Sequence, residues 1–384
     1  MCGRGSHARD HGACSRIAML YSDTRLAASV DKATVVTYPI EFAMKEISEL
    51  AEAAGYSVEE LITQKRVVKS EYGVGKGKAE DLREAVSRNG SKVLIVDEEL
   101  TSAQANNLSK ATQAEVVDRD RLILNIFARR AVTTEAKLQV QLAELRYELP
   151  RAKDIVRHSK TGERAGFSGL GELAVDVRFR ALKRQMAVVR EKLAKAQSYR
   201  SVQRAGRSRL GLPFVSLAGY TSGGKTTLFN RLAAESKEVS PSLFTTLSTT
   251  TRAVDLGDSK RMLLSDTVGF ISRLPTYMIE AFKSTLEELT YADLVLLIID
   301  ASENEDSVRI KLGSCRETLS QLGVSPDKTF WVLNKMDLVK DSAVIQTVEG
   351  ELLNGLPTLR ISATRGDGLH QLRNRIVGAV YPRR

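Results

Sequence analysis

Eight consecutive residues, Gly219-Tyr220-Thr221-Ser222-Gly223-Gly224-Lys225-Thr226, fit the pattern GxxxxGK(S/T). Placed between an apolar strand and a helix, such a loop turns its backbone amides toward the β-phosphate of a nucleotide. Lys225 then offers a point charge to the β- and γ-phosphates, and Thr226 offers its hydroxyl to Mg²⁺. Asp266-Thr267-Val268-Gly269 ends the next apolar run. A DxxG there has a defined job: Asp266 reaches Mg²⁺ through a water, and the Gly269 amide senses the γ-phosphate. Asn334-Lys335-Met336-Asp337 ends a third apolar run. The Asp337 carboxylate can accept from the ring N–H and the exocyclic amine of guanine. Adenine lacks that pair, and a carboxylate left without it is costly, so this one side chain separates GTP from ATP. Ser362-Ala363, with Thr364 behind it, completes the base pocket, the Ala363 amide facing the guanine keto oxygen. Between the first two motifs runs Leu243-Phe244-Thr245-Thr246-Leu247-Ser248-Thr249-Thr250-Thr251-Arg252, polar and loop-like, its residues 244–248 counted with the nucleotide contacts. One threonine must complete the Mg²⁺ shell, and spacing does not choose among the five. The expected substrate and product are GTP and GDP.

These loops need a scaffold. Strands are predicted over 214–217, 261–265, 294–299, 329–333 and 359–362, with a helix over 227–234 opening from the glycine loop. Upstream, strands at 33–37, 92–96 and 115–117 alternate with helices at 42–54, 79–87 and 101–110. Both ends of the chain thus read as α/β, the first with a parallel sheet. The stretch between differs. Residues 135–149 and 172–204 read as helices, the second carrying an apolar stripe of Leu182, Met186, Val189, Leu193 and Ala196. Gly162, Gly166, Gly169 and Gly171 crowd the segment between them, which predicts a glycine-rich loop closing an antiparallel helical hairpin. The resulting division is a disordered leader over 1–16, an N-terminal α/β domain over 17–130, a hairpin over 131–206 and a G domain over 212–384.

The net charge of +10 is not spread evenly. Residues 151–210 hold 16 Lys or Arg against 5 Asp or Glu, which accounts for all of it. A solvated helix face would explain this; a surface for nucleic-acid phosphates explains it more sharply. Aromatic residues make up only 5%, which disfavours stacking platforms for single strands. Cys2, Cys14 and Cys315 form neither a disulfide framework nor a metal spacing, which fits a reducing cytoplasm. No apolar run is long enough to span a bilayer, so no stable membrane insertion is expected.

Taken together, these residues resemble the HflX family of translation-associated GTPases. The resemblance is carried by GYTSGGKTTLFNRL (219–232), LFTTLSTTTR (243–252), LLSDTVGFISRLP (263–275), VDEELTSAQANNL (96–108), DRDRLILNIFARRAVTTEAKLQVQLAELRYELPR (118–151) and GFSGLGE (166–172). The last three are not generic to G domains. The resemblance implies the three-part architecture, and it implies Thr246 as the Mg²⁺ threonine, which with Lys225 and Gly269 forms the catalytic set and with Thr226 the metal set. It also implies a partner: the ribosome, mainly the large subunit and its RNA, with the N-terminal region reaching toward the catalytic centre and stalled ribosomes split or rescued by a monomeric protein. A regulatory G protein whose basic hairpin binds other RNA, membrane or protein is the competing class. Ser222 stands where the family has an asparagine that, in related GTPases, helps bind activating potassium. Ser248-Thr249-Thr250-Thr251 replaces a DPTT, and Gly169-Leu170-Gly171-Glu172 replaces a GPGE turn. The chain stops one helix after Ser362-Ala363, as in an archaeal-type member. Tyr72-Gly73-Val74-Gly75-Lys76-Gly77-Lys78 matches a second glycine-rich family segment, read either as a site for ATP or RNA or as a plain strand-to-helix turn. Phe270 and Ile271 follow Gly269 where Ras-like enzymes carry a water-orienting glutamine, which predicts a slow intrinsic rate and a buried Phe270.

Overall fold

A computed structural model describes residues 30–65, 70–162, 168–209, 211–235, 243–244, 247, 249–340, 342–354 and 356–382. The leader at 1–16 lies outside the described residues. The first sheet is built from β1 (Asp31–Thr37), β2 (Tyr56–Thr63), β3 (Val93–Val96) and β4 (Glu115–Asp118), in the order β2-β1-β3-β4 and parallel throughout. Three helices connect them: α1 (Glu41–Ala53), α2 (Lys76–Asn89) and α3 (Ser102–Thr112). The Gly75-Lys76-Gly77-Lys78 segment is the entry into α2, and Lys78 pairs with Asp81 at 3.0 Å. Thr101 and Gln104 cap α3 reciprocally, which satisfies two of the amide donors its first turn leaves open. α4 (Arg119–Arg130) follows β4 directly, with Asp118 accepting from the Arg121 amide as its N-cap.

Strand β2 was not among the expected elements. Its sequence, Tyr56-Ser57-Val58-Glu59-Glu60-Leu61-Ile62-Thr63, fits a helix as well as a strand, and it settles as an edge strand. Glu59 and Glu60 meet cations there: Lys32 at 3.3 Å and Arg88 at 2.6 Å.

Two long helices come next, α5 (Thr134–Gly162) and α6 (Ser168–Arg209), packed along one another. Leu182, Met186, Val189 and Leu193 of α6 are buried, as the stripe predicts, and Arg178 reaches back to Glu148 of α5. The glycine-rich loop is shorter than expected. Gly162 is the last residue of α5, Gly169 and Gly171 lie inside α6, and Gly166 is outside the described residues. A glycine costs a helix interior only about 1 kcal/mol, which neighbouring turns can outweigh. Pro150 likewise lies within α5 rather than ending it.

The second sheet has the order β10-β9-β8-β5-β7-β6. Its strands are β5 (Phe214–Gly219), β6 (Thr250–Gly257), β7 (Lys260–Asp266), β8 (Leu294–Asp300), β9 (Thr329–Asn334) and β10 (Thr358–Arg360). All pairings are parallel except β6 with β7. The loop reading of 243–252 is corrected at its end, since Thr250, Thr251 and Arg252 are already in β6. Threonine suits an edge strand with one face open to water. The helices of this unit are α7 (Lys225–Ala233), α8 (Thr276–Ala281), α9 (Lys283–Thr290), α10 (Glu305–Gln321), α11 (Ser342–Thr347) and α12 (Leu369–Val380).

One apolar cluster runs from the first sheet through the hairpin into the second unit. At its centre Phe127 of α4 meets the edges of Phe244 and Phe282, ring centroids 4.8 Å away in each case. Such edge-on pairs add about 0.5–1.5 kcal/mol each beyond the area they bury. The units on either side of the hairpin therefore share a core.

Candidate functional site

The loops that carry the motifs gather at the carboxyl ends of β5, β7, β9 and β10. Central β5 runs into Gly219, and the chain turns through 219–224 to start α7 at Lys225. Gly224 has φ +92°, and a β-carbon there would come within 2.3 Å of the Asn334 amide. Only glycine lets the loop pass so close to the end of β9.

Lys225 is buried and donates to the carbonyls of Gly219 at 3.0 Å and Tyr220 at 2.7 Å. Burial pulls its ammonium down to about 8, and the Asp266 carboxylate offsets part of that. A group so placed gains from a phosphate, whose charge restores what desolvation removes. Thr226 Oγ1 donates to Asp266 Oδ2 at 3.0 Å, so the last residue of the glycine loop meets the first of DxxG. Hydroxyl and carboxylate oxygen form a donor set that suits Mg²⁺, which takes one or two protein ligands and fills its shell with phosphate and water. Among the described residues there is no group of three or more His, Cys, Asp or Glu side chains that could hold a metal ion by themselves.

DxxG is bonded to the glycine loop through the backbone. The Phe270 amide donates to the Gly219 carbonyl at 3.0 Å, and the Thr221 amide donates to the Phe270 carbonyl at 2.8 Å. A β-carbon on Gly269 would lie 2.8 Å from Thr221 Cγ2 and 3.0 Å from Lys225 Nζ. Thr267 Oγ1 donates to the Leu217 carbonyl at 2.7 Å, Val268 is buried, and so is the Phe270 ring.

Asn334 ties the phosphate side to the base side. Its Nδ2 donates to the Gly223 carbonyl at 3.0 Å, and its Oδ1 accepts from the Ala363 amide at 3.0 Å. Lys335 has φ +62° and pairs with Asp300 at 2.5 Å. The Met336 amide donates to the Ile361 carbonyl at 3.1 Å, which sets Asp337 beside buried Ser362. A hydrogen bond from the Ser362 side chain holds the Asp337 carboxyl below its usual range, so it stays an acceptor.

Of the segment between the motifs, Phe244 and Leu247 are buried, the Phe244 ring against Phe127 rather than toward the loops. Thr245, Thr246 and Ser248 lie outside the described residues. Ser222 is exposed with φ +59°, a conformation asparagine tolerates better than serine. Neither nearby arginine points at the phosphate loop: Arg252 pairs with Glu235 at 2.7 Å, and Arg273 pairs with Asp97 and Glu98.

Two contributions had no motif to announce them. Arg231 of α7 donates to the carbonyls of Ala363 and Thr364 at 3.3 and 2.5 Å, steadying the base loop. Glu46 of α1 accepts from the Tyr220 hydroxyl inside the glycine loop. An acid within the apolar face of Ala43, Ile47, Leu50 and Ala51 was the available signal.

Three family models match in sequence: "GTP-binding GTPase N-terminal" over residues 41–128, "GTP-binding GTPase Middle Region" over 130–207 and "50S ribosome-binding GTPase" over 214–335. GTPase HflX of Methanocaldococcus jannaschii is 40% identical, over 81% of this chain and 77% of that protein. GTPase HflX of Thermococcus kodakarensis is 42% identical over 77% of this chain and 67% of its own length, and that of Escherichia coli 35% over 86% and 77%. A crystal structure of SsGBP in complex with GDP superposes with a TM-score of 0.53 at 26% identity, covering 91% of this chain and 98% of that one.

Proposed function

The chain belongs to the HflX family of GTPases, whose members bind and hydrolyse GTP, and from that premise we propose that its GTP cycle acts on the large ribosomal subunit, in splitting or rescuing stalled ribosomes. The observation that carries this reading is the outer face of α6. Between residues 176 and 195 it presents Arg178, Arg180, Lys183, Arg184, Arg190, Lys192 and Lys195, all exposed, against only Asp176 and Glu191. Three of these cations have acidic neighbours on the helices themselves: Arg178, Arg180 and Lys195, at 3.9, 3.4 and 2.9 Å. Exposed pairs of this kind are worth under about 1 kcal/mol and yield readily to a phosphate backbone. The family description "50S ribosome-binding GTPase" points the same way.

In the reaction, water attacks the γ-phosphorus, the bond to the β–γ bridging oxygen breaks, and negative charge moves onto the β-phosphate. The amides of 219–226 and the Lys225 ammonium meet that charge. Thr226, with Asp266 through a water, would hold Mg²⁺, which would supply positive charge to neutralise the phosphates, and Thr246 would complete its ligand set in the GTP state. The Gly269 amide faces the γ-phosphate, and Asp337 with Ala363 reads guanine. Buried Phe270 cannot orient water, and Arg252 and Arg273 are engaged elsewhere. Intrinsic turnover is therefore slow, and ribosomes raise it about tenfold or more, equivalent to about 1.4 kcal/mol of barrier.

The test is co-sedimentation with purified large subunits in a non-hydrolysable GTP analogue, across a salt series. Replacing Arg178, Arg180, Lys183, Arg184 and Arg190 by glutamate should weaken binding, flatten its salt dependence and leave GTP binding intact. Binding that ignores these changes at every salt concentration refutes the contact.

A further inference from the structure

The glycine loop and the segment after Gly269 are both gripped from outside the nucleotide motifs. Tyr220, buried, donates its hydroxyl to Glu46 of α1 and accepts from the Ser272 amide at 2.6 Å. The same amide lies 3.1 Å from Glu46 Oε1. Arg119, the first residue of α4, donates to Glu46 Oε2 at 2.7 Å, to the Ser272 carbonyl at 2.9 Å and to Asp97 Oδ1 at 2.6 Å. Arg273 completes the set, donating to Asp97 Oδ1 at 2.8 Å and Glu98 Oε1 at 2.7 Å. Glu46, Asp97 and Arg119 are each 5% exposed or less. Two guanidinium groups face three carboxylates across this cluster, so each buried carboxylate is stable only while its arginine partner is in place. Burial pushes the Glu46 carboxyl up, but the Arg119 charge and the hydrogen bonds from Ser272 and Tyr220 together outweigh it and hold it below its usual range.

What the cluster grips matters to the nucleotide. A β-carbon on Gly269 would lie 3.0 Å from Lys225 Nζ, and Phe270 is hydrogen-bonded to Gly219 and Thr221. The Lys225 ammonium meanwhile donates to two carbonyls of its own loop. A γ-phosphate would compete for that ammonium and for the space beside Gly269, so its binding would favour a shift of the segment. Ser272 and Arg273 lie three and four residues on and cannot stay fixed if it shifts. Displacing them breaks buried charge contacts, which makes the choice between two arrangements discrete rather than gradual.

We propose that Glu46, Arg119 and Asp97 are positioning residues for GTP turnover: acting through Tyr220, Ser272 and Arg273, they hold Gly269 against Lys225 and set the preference of the site for GDP over GTP. The inference rests on the roles of Lys225 and Gly269 given under the proposed function. By linkage, whatever displaces the first α/β unit favours GTP, and GTP loosens that unit by the same factor.

The test measures the affinities of the full chain for fluorescent GDP and for a fluorescent, non-hydrolysable GTP analogue. Glu46→Gln and Arg273→Gln should each shift the ratio toward the triphosphate by about five- to 150-fold, the usual range of coupling between sites. Arg273→Lys, which keeps the charge, should return part of the preference. Arg273 is 42% exposed, so it carries the test if Glu46→Gln does not fold. A ratio unchanged in Arg273→Gln, or equal loss of both affinities, overturns the proposal. A Lys225→Ala chain that keeps normal affinity for the GTP analogue would instead remove the reading beneath it.

Discussion

Asn334 is the side chain on which the phosphate and base halves of the site depend together. It is buried, and its amide spans from the Gly223 carbonyl to the Ala363 amide, 3.0 Å on each side. Asn334→Ala removes both hydrogen bonds at once and leaves two backbone groups facing a small void. Each net hydrogen bond is worth about 0.5–1.5 kcal/mol, and each buried group left without a partner costs about 1–3 kcal/mol. Water entering the void recovers part of that, so a loss of about 2–3 kcal/mol is expected, or roughly thirty- to 150-fold if it falls on nucleotide affinity. The loss should fall on GDP and GTP alike, because the bridge touches neither the γ-phosphate nor the segment after Gly269. Asn334→Asp should be worse than alanine for binding, since it aims a carboxylate oxygen at the Gly223 carbonyl. Titration of fluorescent GDP into the two variants, with thermal melts as a control on folding, reads the effect. GDP affinity within threefold of the parent in folded Asn334→Ala would refute the bridging argument.

Three further outcomes follow from the same geometry. Lys225 titrates near 8 without nucleotide and higher beside phosphate, so binding takes up a proton above pH 8. GDP affinity should therefore fall by up to about tenfold per pH unit above 8 and be flat below it, measured short of the range where guanine itself ionises; a flat profile to pH 9 contradicts this. Asp120 is raised from its ordinary 3.8 to about 6, first by burial and then by the Asp118 charge. The folded state thus pays a penalty that is absent below pH 3.8, grows through that window and is complete above pH 6, about 3 kcal/mol at most. Asp120→Asn keeps an acceptor for the Tyr277 hydroxyl at 3.0 Å and should raise the melting temperature at pH 7.5, with the gain vanishing as pH falls to 4; no gain at pH 7.5 rejects it. Asp337→Asn should shift preference from guanine toward xanthine nucleotides in a competition assay, and unchanged GTP affinity would take Asp337 out of the base pocket.

The site was more legible than the fold around it. Each nucleotide motif ends a strand or opens a helix, and their chemistry depends on residues within a few positions, so local pattern sufficed to single out Lys225, Thr226, Asp266 and Asn334 as candidates. The α/β character of both units was readable for the same reason, though not the antiparallel pairing of β6 with β7. Strand β2 was not, because its paired glutamates make helix and strand equally plausible until Lys32 and Arg88 are seen opposite them. The glycines at 169 and 171 misled because a breaker's cost is small beside the packing of a long helix. The Glu46 cluster was out of reach altogether: Tyr220 lies 174 residues downstream and Ser272 lies 226, and no spacing rule spans such gaps.

The aromatic junction at Phe127 has a consequence in time. Phe127 is made long before Phe244, and earlier still than Phe282, which closes the group. Chains grow at about 5–20 residues per second, so the face of α4 around Phe127 waits on the order of ten to thirty seconds for its cover. Throughout that interval a folded first sheet presents an oily surface to a crowded compartment. Nascent chains halted near residue 210 should accordingly recruit chaperones or light up a hydrophobic dye, while released full-length chains should not. The junction that joins the parts of the finished molecule makes the growing chain vulnerable until its last third has emerged.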